Sequence, residues 1–306
     1  KEKALGSGHT STLHTVNNIG ILYRDQGRLD QAEQMCQRAL AGKEKTLGPD
    51  HISTLNTVDN IAILYRDQGR LDQAEQMCQR ALAGKERTLG PDHRSTLSTV
   101  NNIGLLYLHQ GRLNQAEQMY QRALAGAEKT LGPDHTSTLG TVNNIGFLYW
   151  NQGRLDQAEQ MYQRVLVGKE KTLGPDHMLT LKTANNIGIL YWNQGKLDQA
   201  EQMYQRALAG YEKMFGPDHK LIFDTVNNIG LLYLNQGRLD QAEQMYQRAL
   251  AGYEKVLGPN HTSTLETVNN LEILYRDQGK LEQAEEMHQR AQLGKEMKNT
   301  ATCSLR

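Results

Sequence analysis

The chain has no excess of charge of either sign and no long apolar run. Among its 306 residues, 34 are basic and 34 are acidic, and neither kind is concentrated in one segment. Because nucleic acids and anionic membrane surfaces attract proteins with a field of one sign, we expect neither as a partner. A membrane-spanning helix needs about 20 consecutive apolar residues, and no segment of this sequence approaches that length.

Cysteine is scarce, with three residues in the chain, Cys36, Cys78 and Cys303. The first two stand where other copies of the repeat described below have tyrosine, so we expect them to be small core residues. Equivalent residues in stacked repeats lie roughly 8–10 Å apart, which is too far for a disulfide bond. Cys303 has no evident partner. This cysteine usage indicates a reducing, cytoplasmic compartment.

The chain also lacks a glycine-rich phosphate loop and any cluster of nucleophile, base and acid that stands in one place alone. Because a catalytic site requires such a singular cluster, we expect a non-catalytic protein without a cofactor. Seven histidines recur at a spacing of 42 residues. We expect them roughly 10 Å apart, too far to share a zinc ion, and therefore predict no metal site.

What the chain does have is one 42-residue repeat, and its first two copies differ at only five positions. The first eight residues, KEKALGSG, align with the end of a repeat, KEKTLGPD, so we expect a fragment of a longer protein. We divide the chain into 1–8 (remnant of a preceding repeat), seven repeats (9–50, 51–92, 93–134, 135–176, 177–218, 219–260, 261–302) and 303–306 (C-terminal tail). Positions are numbered as in the first repeat.

Each repeat has the sequence pattern of two helices. In the second repeat, helix A is predicted over 53–68, with Asp50 and Ser53 capping its first N–H groups and Gly69 ending it in a left-handed conformation. Helix B is predicted over 71–89, where a Gly-Pro pair stops it. The six prolines of the chain all lie in such pairs at repeat ends. An array of antiparallel helix pairs follows.

Apolar side chains recur at helical spacing and predict the core. In helix A of the first repeat these core residues are Leu13, Val16, Ile19, Gly20 and Tyr23. In helix B they are Leu29, Ala32, Met35, Cys36, Ala39 and Leu40. Gly42 recurs in every copy inside helix B, although glycine there costs about 1 kcal/mol relative to alanine. We therefore expect close contact between this glycine and an adjacent helix.

The segment G-x-L-Y-x-x-Q-G-R-L-x-Q-A-E resembles the tetratricopeptide repeat, with small Gly20, aromatic Tyr23, turn Gly27 and helix B Ala32. The usual repeat has about 34 residues, and this longer one, with its paired asparagines, resembles the repeats of kinesin light chains. The resemblance covers about residues 1–300. It implies an all-α solenoid, a right-handed superhelix of seven antiparallel helix pairs with helix A lining a concave groove. Fold alone assigns no function.

The face of helix A opposite the core, here called the groove face, carries positions 14, 17, 18, 21 and 25, with position 24 at its margin. Position 14 differs in all seven copies: His14, Asn56, Ser98, Gly140, Lys182, Asp224 and Glu266. A packed core position does not vary so freely, so position 14 must face solvent or ligand.

At position 24 the four middle repeats carry Leu108, Trp150, Trp192 and Leu234, whereas the other repeats carry arginine. We predict these four as apolar anchors for a ligand. Phe147 at position 21, Asn151 and Asn193 at position 25, and Lys182 at position 14 complete the predicted groove site. Two interpretations of the tryptophans stay open: a binding platform, as aromatic residues often form at interfaces, or packing against the next repeat.

Positions 17 and 18 hold an asparagine pair in every repeat except the second, which has Asp59 and Asn60. Asparagine is a poor residue within a helix, so a repeated pair needs a reason. Its amides either bridge neighbouring helices or offer donors and acceptors to a peptide main chain, and the two roles are compatible. The resemblance implies the second role for the second member of each pair. The predicted backbone clamps are Asn102, Asn144, Asn186 and Asn228.

These patterns lead us to expect a scaffold that binds a peptide or protein segment, as the adaptor or sensing arm of a longer protein. Acidic side chains outnumber basic ones on the groove face, so we expect no strongly acidic ligand. The alternative is an architectural spacer or self-assembling array with no peptide ligand. In that case the truncated N-terminal face offers a surface for end-to-end self-association.

Overall fold

The structure is a computed structural model that describes residues 2–303, which form fifteen α-helices and no strand. The short helix α1 spans Glu2–Leu5. The A helices are α2 (Thr10–Asp25), α4 (Ile52–Asp67), α6 (Arg94–His109), α8 (Thr136–Asn151), α10 (Met178–Asn193), α12 (Lys220–Asn235) and α14 (Thr262–Asp277). The B helices are α3 (Leu29–Leu47), α5 (Leu71–Leu89), α7 (Leu113–Leu131), α9 (Leu155–Leu173), α11 (Leu197–Phe215), α13 (Leu239–Leu257) and α15 (Leu281–Cys303). The predicted all-α array of seven helix pairs is confirmed.

The chain forms two compact units, residues 1–161 and 162–306, and their border lies within α9. Within a unit, an A helix packs against the B helix of its own repeat and against the preceding B helix, as α4 does with α5 and α3. One core cluster of the first unit includes Cys36 and Cys78, which are buried and free. The prediction that these cysteines are small core residues is confirmed.

Glycines set the distance between the two helices of a pair. A Cβ atom at Gly84 would lie only 2.6 Å from Cδ2 of Leu55 on the A helix of the same repeat. At Gly104, it would lie 2.7 Å from the ring of Tyr120. Separations this short exclude a side chain larger than hydrogen unless the neighbour moves. The predicted close contact of the Gly42 row is thereby confirmed.

Each A helix starts with a histidine cap. His51 lies just before α4, and its ring Nδ1 accepts a hydrogen bond from the backbone N–H of Ser53 at 3.1 Å. The same bond recurs at all seven repeat histidines. The prediction that Asp50 and Ser53 cap this helix was therefore wrong. Ser53 contributes its N–H as the donor, and Asp50 forms an ion pair with Arg87 instead.

Helix ends agree with the sequence prediction, since Gly69 has the predicted left-handed backbone at a φ of 76°. One core prediction was wrong. Ile19 is 37% exposed, whereas Ile61 and Ile103 at the same position are buried. In later repeats the preceding B helix covers this position, but before α2 the described chain has only the short helix α1.

The last repeat replaces close packing by polar contacts. Glu272 stands where other repeats have glycine or alanine, and His288 stands where they have tyrosine or cysteine. The two side chains meet at 3.1 Å between Nδ1 and Oε1, and Arg276 pairs with the same carboxylate at 2.7 Å. Cys303 is the last helical residue, and the rest of the predicted tail, 304–306, lies outside the described residues.

Candidate ligand-binding site

The groove face is accessible where its sequence varies. Position 14 is exposed in six repeats, and in the sixth repeat Asp224 is half-buried. This agrees with the prediction that position 14 faces solvent or ligand. Position 24 differs from it, because Leu108, Trp150, Trp192 and Leu234 are all half-buried.

In the first unit, the predicted apolar anchors divide into two kinds. Leu108 packs against a core cluster that includes Ile145 and Leu148 of the next repeat, so part of its surface serves repeat packing. Phe147 is 42% exposed, and its ring meets the edge of Trp150 with centroids 6.1 Å apart. Phe147 and Trp150 thus form an aromatic pair on the groove face, which an apolar side chain of a ligand can contact.

The predicted groove residues at position 25 have a local bond. Asn151 donates from Nδ2 to the carbonyl of Phe147 at 2.7 Å, and Asn193 donates to Ile189 at 2.8 Å. Both bonds run from a side chain to a carbonyl four residues earlier in the same helix, so they are local to the helix end. Both side chains remain exposed, so their oxygen atoms are accessible.

The asparagine pairs bridge neighbouring A helices. In the first unit Asn60 donates to Asn17 at 3.2 Å and Asn144 donates to Asn101 at 3.1 Å. In the second unit Asn228 donates to Asn185 at 3.5 Å and Asn270 donates to Asn227 at 3.3 Å. Of the four predicted backbone clamps, Asn144 and Asn228 therefore take part in this ladder. Asn102 and Asn186 make no side-chain hydrogen bond with any described residue.

The second unit contains a cavity of about 530 Å³ on this face, between α10 and α12. Two predicted site residues, Lys182 and Asn186, line it, whereas Trp192, Asn193 and Leu234 do not. The other lining residues are Asn185, Tyr211, His219, Lys220, Leu221, Asp224 and Thr225. The volume is within the usual range for small-ligand pockets, roughly 300–1,000 Å³.

Sequence reasoning missed Tyr211 and the cavity-lining residues at the start of α12, although the signal was present. Where other repeats begin helix A with a Ser or Leu, then Thr and Leu, the sixth repeat has Leu221, Ile222 and Phe223. Lys220 also stands at a position that is threonine in three other repeats. The repeat pattern is thus broken at Ile222 and Phe223, which directly follow the lining residue Leu221.

Charges in this cavity are partly paired. Lys220 contacts both carboxylate oxygens of Asp224, at 2.7 and 2.8 Å, and the hydroxyl of Tyr253 donates to Asp224 at 2.6 Å. Burial and this carboxylate raise the pKa of Tyr253 well above its usual value, which keeps the hydroxyl protonated as a donor. Lys182 forms no ion pair with a described residue. The lining therefore carries one cation in excess.

Beneath the groove face of the first unit, position 43 belongs to a buried ion pair whose carboxylate is at position 17. Lys85, at position 43, contacts the carboxylate of Asp59 and lies 3.1 Å from the hydroxyl oxygen of Thr99. Thr99 in turn lies 2.9 Å from Asp59. Burial raises the pKa of Asp59, while Lys85 and Thr99 oppose that rise. The aspartate that the second repeat has in place of a ladder asparagine thus has a buried cation as its partner.

Within residues 2–303, no three His, Cys, Asp or Glu side chains are grouped so that they could hold a metal ion. Among the same residues, no helix is long and apolar enough to cross a membrane.

Comparisons with known proteins agree on the fold. A family model described as Tetratricopeptide repeat matches residues 10–87, 55–129, 95–166, 137–213 and 221–292, and a second model of that description matches 185–256. A comparison with curated proteins finds no match.

Several solved structures share the fold. BtubC (BKLC) from P. vanneervenii is 23% identical, with a TM-score of 0.63 over 72% of this chain and 92% of that one. A Podosopora anserina protein described as a kinesin light chain with nearly identical TPR-like repeats is 23% identical, with a TM-score of 0.57 over 67% and 97%. The Rap conjugation gene regulator of plasmid pLS20, in complex with the Phr* peptide, is 16% identical, with a TM-score of 0.62 over 95% and 75%.

Proposed function

The chain belongs to the tetratricopeptide repeat family, and from that premise we propose that it is a non-catalytic scaffold. Its groove face binds a peptide or protein segment, as the adaptor or sensing arm of a longer protein. The observation that carries this proposal is the cavity between α10 and α12, which lies on an accessible face next to a break in the repeat pattern. A neighbour of similar fold that is in complex with a peptide gives further support.

In this function the aromatic pair of Phe147 and Trp150 contacts apolar side chains of the segment in the first unit. In the second unit, the cavity accepts a polar side chain, and Trp192 and Leu234 provide half-buried apolar surface on the same two helices, α10 and α12. Asn102 and Asn186, whose amides are not used in the ladder, bind the main chain of the segment. A few such anchors carry most of the energy of an interface.

Selection of peptides from a random display library tests this proposal. We expect the array to enrich peptides that share apolar anchor residues, and the Trp150→Ala/Trp192→Ala variant to lose them. The matched control is Val167→Ala/Leu293→Ala, which removes exposed apolar side chains at position 41 of helix B, where the other five repeats have alanine. That control should select the same peptides as the wild type.

The architectural alternative predicts a different result. Ile19 and Leu22 are exposed on the first repeat and offer apolar surface for end-to-end contact. If the folded wild type enriches no peptide and its sedimentation shows assembly that grows with concentration, the spacer proposal replaces the scaffold. A reducing, cytoplasmic location remains part of our proposal, and the free, buried Cys36 and Cys78 support it.

A further inference from the structure

Tyr211 is a buried tyrosine with an unused hydroxyl in the wall of the cavity. Its side chain is only 1% exposed, and it lines the space between α10 and α12. Among the described residues its hydroxyl has no hydrogen-bond partner. The hydroxyl is not among the fully buried side-chain atoms that lack a partner, so it opens into the cavity, where a ligand atom can accept its hydrogen bond in place of water.

The next repeat shows what kind of atom is missing. Tyr253 occupies the same repeat position as Tyr211, and its hydroxyl donates to Asp224 at position 14 of its own repeat, at 2.6 Å. In the fifth repeat, position 14 is Lys182. An ammonium group has donors and no acceptor, so it cannot take the place of the aspartate. Tyr211 therefore has a donor without an acceptor.

The remaining lining groups favour a negatively charged acceptor. Asp224 is neutralised by Lys220, which leaves Lys182 as the unpaired cation of the lining. The Asn185 oxygen is occupied by Asn228 at 3.5 Å and by Thr225 at 3.4 Å, whereas the Asn186 amide is unused. An ammonium, a phenol and an amide N–H lining one cavity are suited to binding a carboxylate.

We propose that this cavity binds the carboxylate of one aspartate or glutamate side chain in the bound segment, through Lys182, Tyr211 and one N–H of Asn186, which leaves the Asn186 oxygen for the main chain. This inference rests on the proposed function, because it names the chemistry of one residue in the segment. A single acidic residue agrees with the excess of acidic side chains elsewhere on the groove face, which disfavours a strongly acidic ligand. The groove face continues past the cavity to Asn228, so a passing segment can leave a side chain there.

Tyr211 then sets specificity by its donor hydroxyl. Burial, with a contribution from Asp224, raises the pKa of Tyr211 to about 12, so the hydroxyl is protonated near neutral pH. A glutamine side chain would fill the same space but would leave the Lys182 charge without a counter-charge. The segment should therefore be selected for acid over amide at one position, by about tenfold, as expected for a hydrogen bond to a charged group.

Two short random peptide libraries test the inference. Both are N-acetylated, C-terminally amidated and uncharged, except that the central residue is glutamate in one library and glutamine in the other. Retention of each library on immobilised protein is measured by mass spectrometry. We expect the wild type to retain the glutamate library about tenfold better, and Lys182→Met and Tyr211→Phe to lose most of that preference.

Tyr246→Phe is the matched control. Tyr246 is also buried, and its hydroxyl also lacks a partner, but it does not line the cavity. We expect Tyr246→Phe to retain the full preference for glutamate, and Lys182→Arg to restore part of it. A third library, with central glutamine and a free C-terminal carboxylate, distinguishes a chain end from a side chain.

The outcomes separate this inference from the proposed function. If both amidated libraries are retained equally by the wild type, the segment binds but the carboxylate site is wrong. The same holds if Tyr211→Phe keeps the whole preference, or if the free-acid library alone is retained. If neither amidated library is retained above a resin without protein, both the inference and the proposed scaffold function are overturned.

Discussion

Position 43 of the repeat is filled by lysine in one region of the molecule and by tyrosine in another. In the first unit Lys85 reaches Asp59 and Thr99 beneath the groove face, and all three side chains are buried. In the second unit Tyr253 reaches Asp224, which is half-buried at the cavity. Both places pair a donor with a carboxylate, but only the second is open to a ligand.

A nearly invariant repeat can therefore be adapted by a change at position 43, which lies behind the groove face. Lys43, Lys85 and Lys169 at position 43 each contact a threonine of the next repeat, and of these three only Lys85 also pairs with position 17. Tyr253 reaches position 14 instead, where the side chain differs in every repeat. The residue at position 43 can therefore hold a side chain of the exposed row, as Tyr253 holds Asp224.

The largest effect is expected from breaking the buried pair of the first unit. Lys85→Met leaves the Asp59 carboxylate buried with only Thr99 as a partner, and removal of one member of such a pair costs about 3 kcal/mol or more. Urea denaturation should show this loss in the free energy of unfolding. Adding Asp59→Asn restores the ladder residue of the other repeats and should recover most of the loss. Equal destabilisation of the single and double variants would contradict the pair's role.

A smaller effect on stability is expected from alanine substitutions at position 42, where the glycines of different repeats contact different side chains. At Gly252 a new Cβ would collide with the ring of Phe223, whereas at Gly84 it would meet the end of the flexible Leu55 side chain. We expect Gly252→Ala to lower the free energy of unfolding by about 2 kcal/mol, since a ring cannot yield as leucine can. Gly84→Ala should change it by less than about 1 kcal/mol, because alanine also favours the helix.

The thermal unfolding midpoints of both variants measure this difference. Phe223→Leu, combined with Gly252→Ala, is the control that restores the neighbour found in the first unit. The combination should be more stable than Gly252→Ala alone. If Gly84→Ala proves as destabilising as Gly252→Ala, the identity of the neighbour is not the cause.

The smallest effect concerns Lys43, which has the same repeat position as Lys85 but no carboxylate. Its ammonium donates to the hydroxyl of Thr57 at 2.8 Å and to the carbonyl of Ser53 at 3.2 Å. Burial lowers the pKa of Lys43 below its ordinary value of 10.5. The folded protein thus holds this proton less tightly than the unfolded chain, so stability rises with pH between the folded pKa and 10.5.

Urea midpoints from pH 7 to pH 10 check this sign, because the difference between wild type and Lys43→Met isolates the one group. The wild type should gain relative to the variant as the pH rises towards 10.5. A relative loss over the same range would mean that the lysine is better stabilised when charged in the folded protein.

The helix pairs and their contacts could be predicted from the sequence because backbone geometry and steric fit impose them. Gly69 has a left-handed backbone, and the space at Gly84 admits no side chain. The glycine itself therefore indicates a turn at the first position and a close helix contact at the second. The site is different, since it depends on which side chains of separate helices meet. Tyr211 lies on a B helix, and a comparison confined to the A helices cannot place it beside Lys182.

Position 24 also shows that the sequence pattern of one helix does not predict contacts between repeats. A helical wheel places Leu108 at the margin of the groove face but does not show how far the next repeat covers it. The structure shows that it packs against Ile145 and Leu148. The wheel also gave no reason to choose histidine as the helix cap, because hydroxyl and carboxylate oxygens are the usual acceptors.

The histidine caps determine the tautomer of the neutral imidazole ring at all seven repeat starts. Because Nδ1 of His51 accepts the Ser53 N–H, the neutral ring must carry its proton on Nε2, and the same holds at the other six repeat starts. All seven imidazoles are therefore one tautomer, with the basic lone pair already engaged. A metal ion that took this nitrogen would have to displace the backbone N–H that the ring caps.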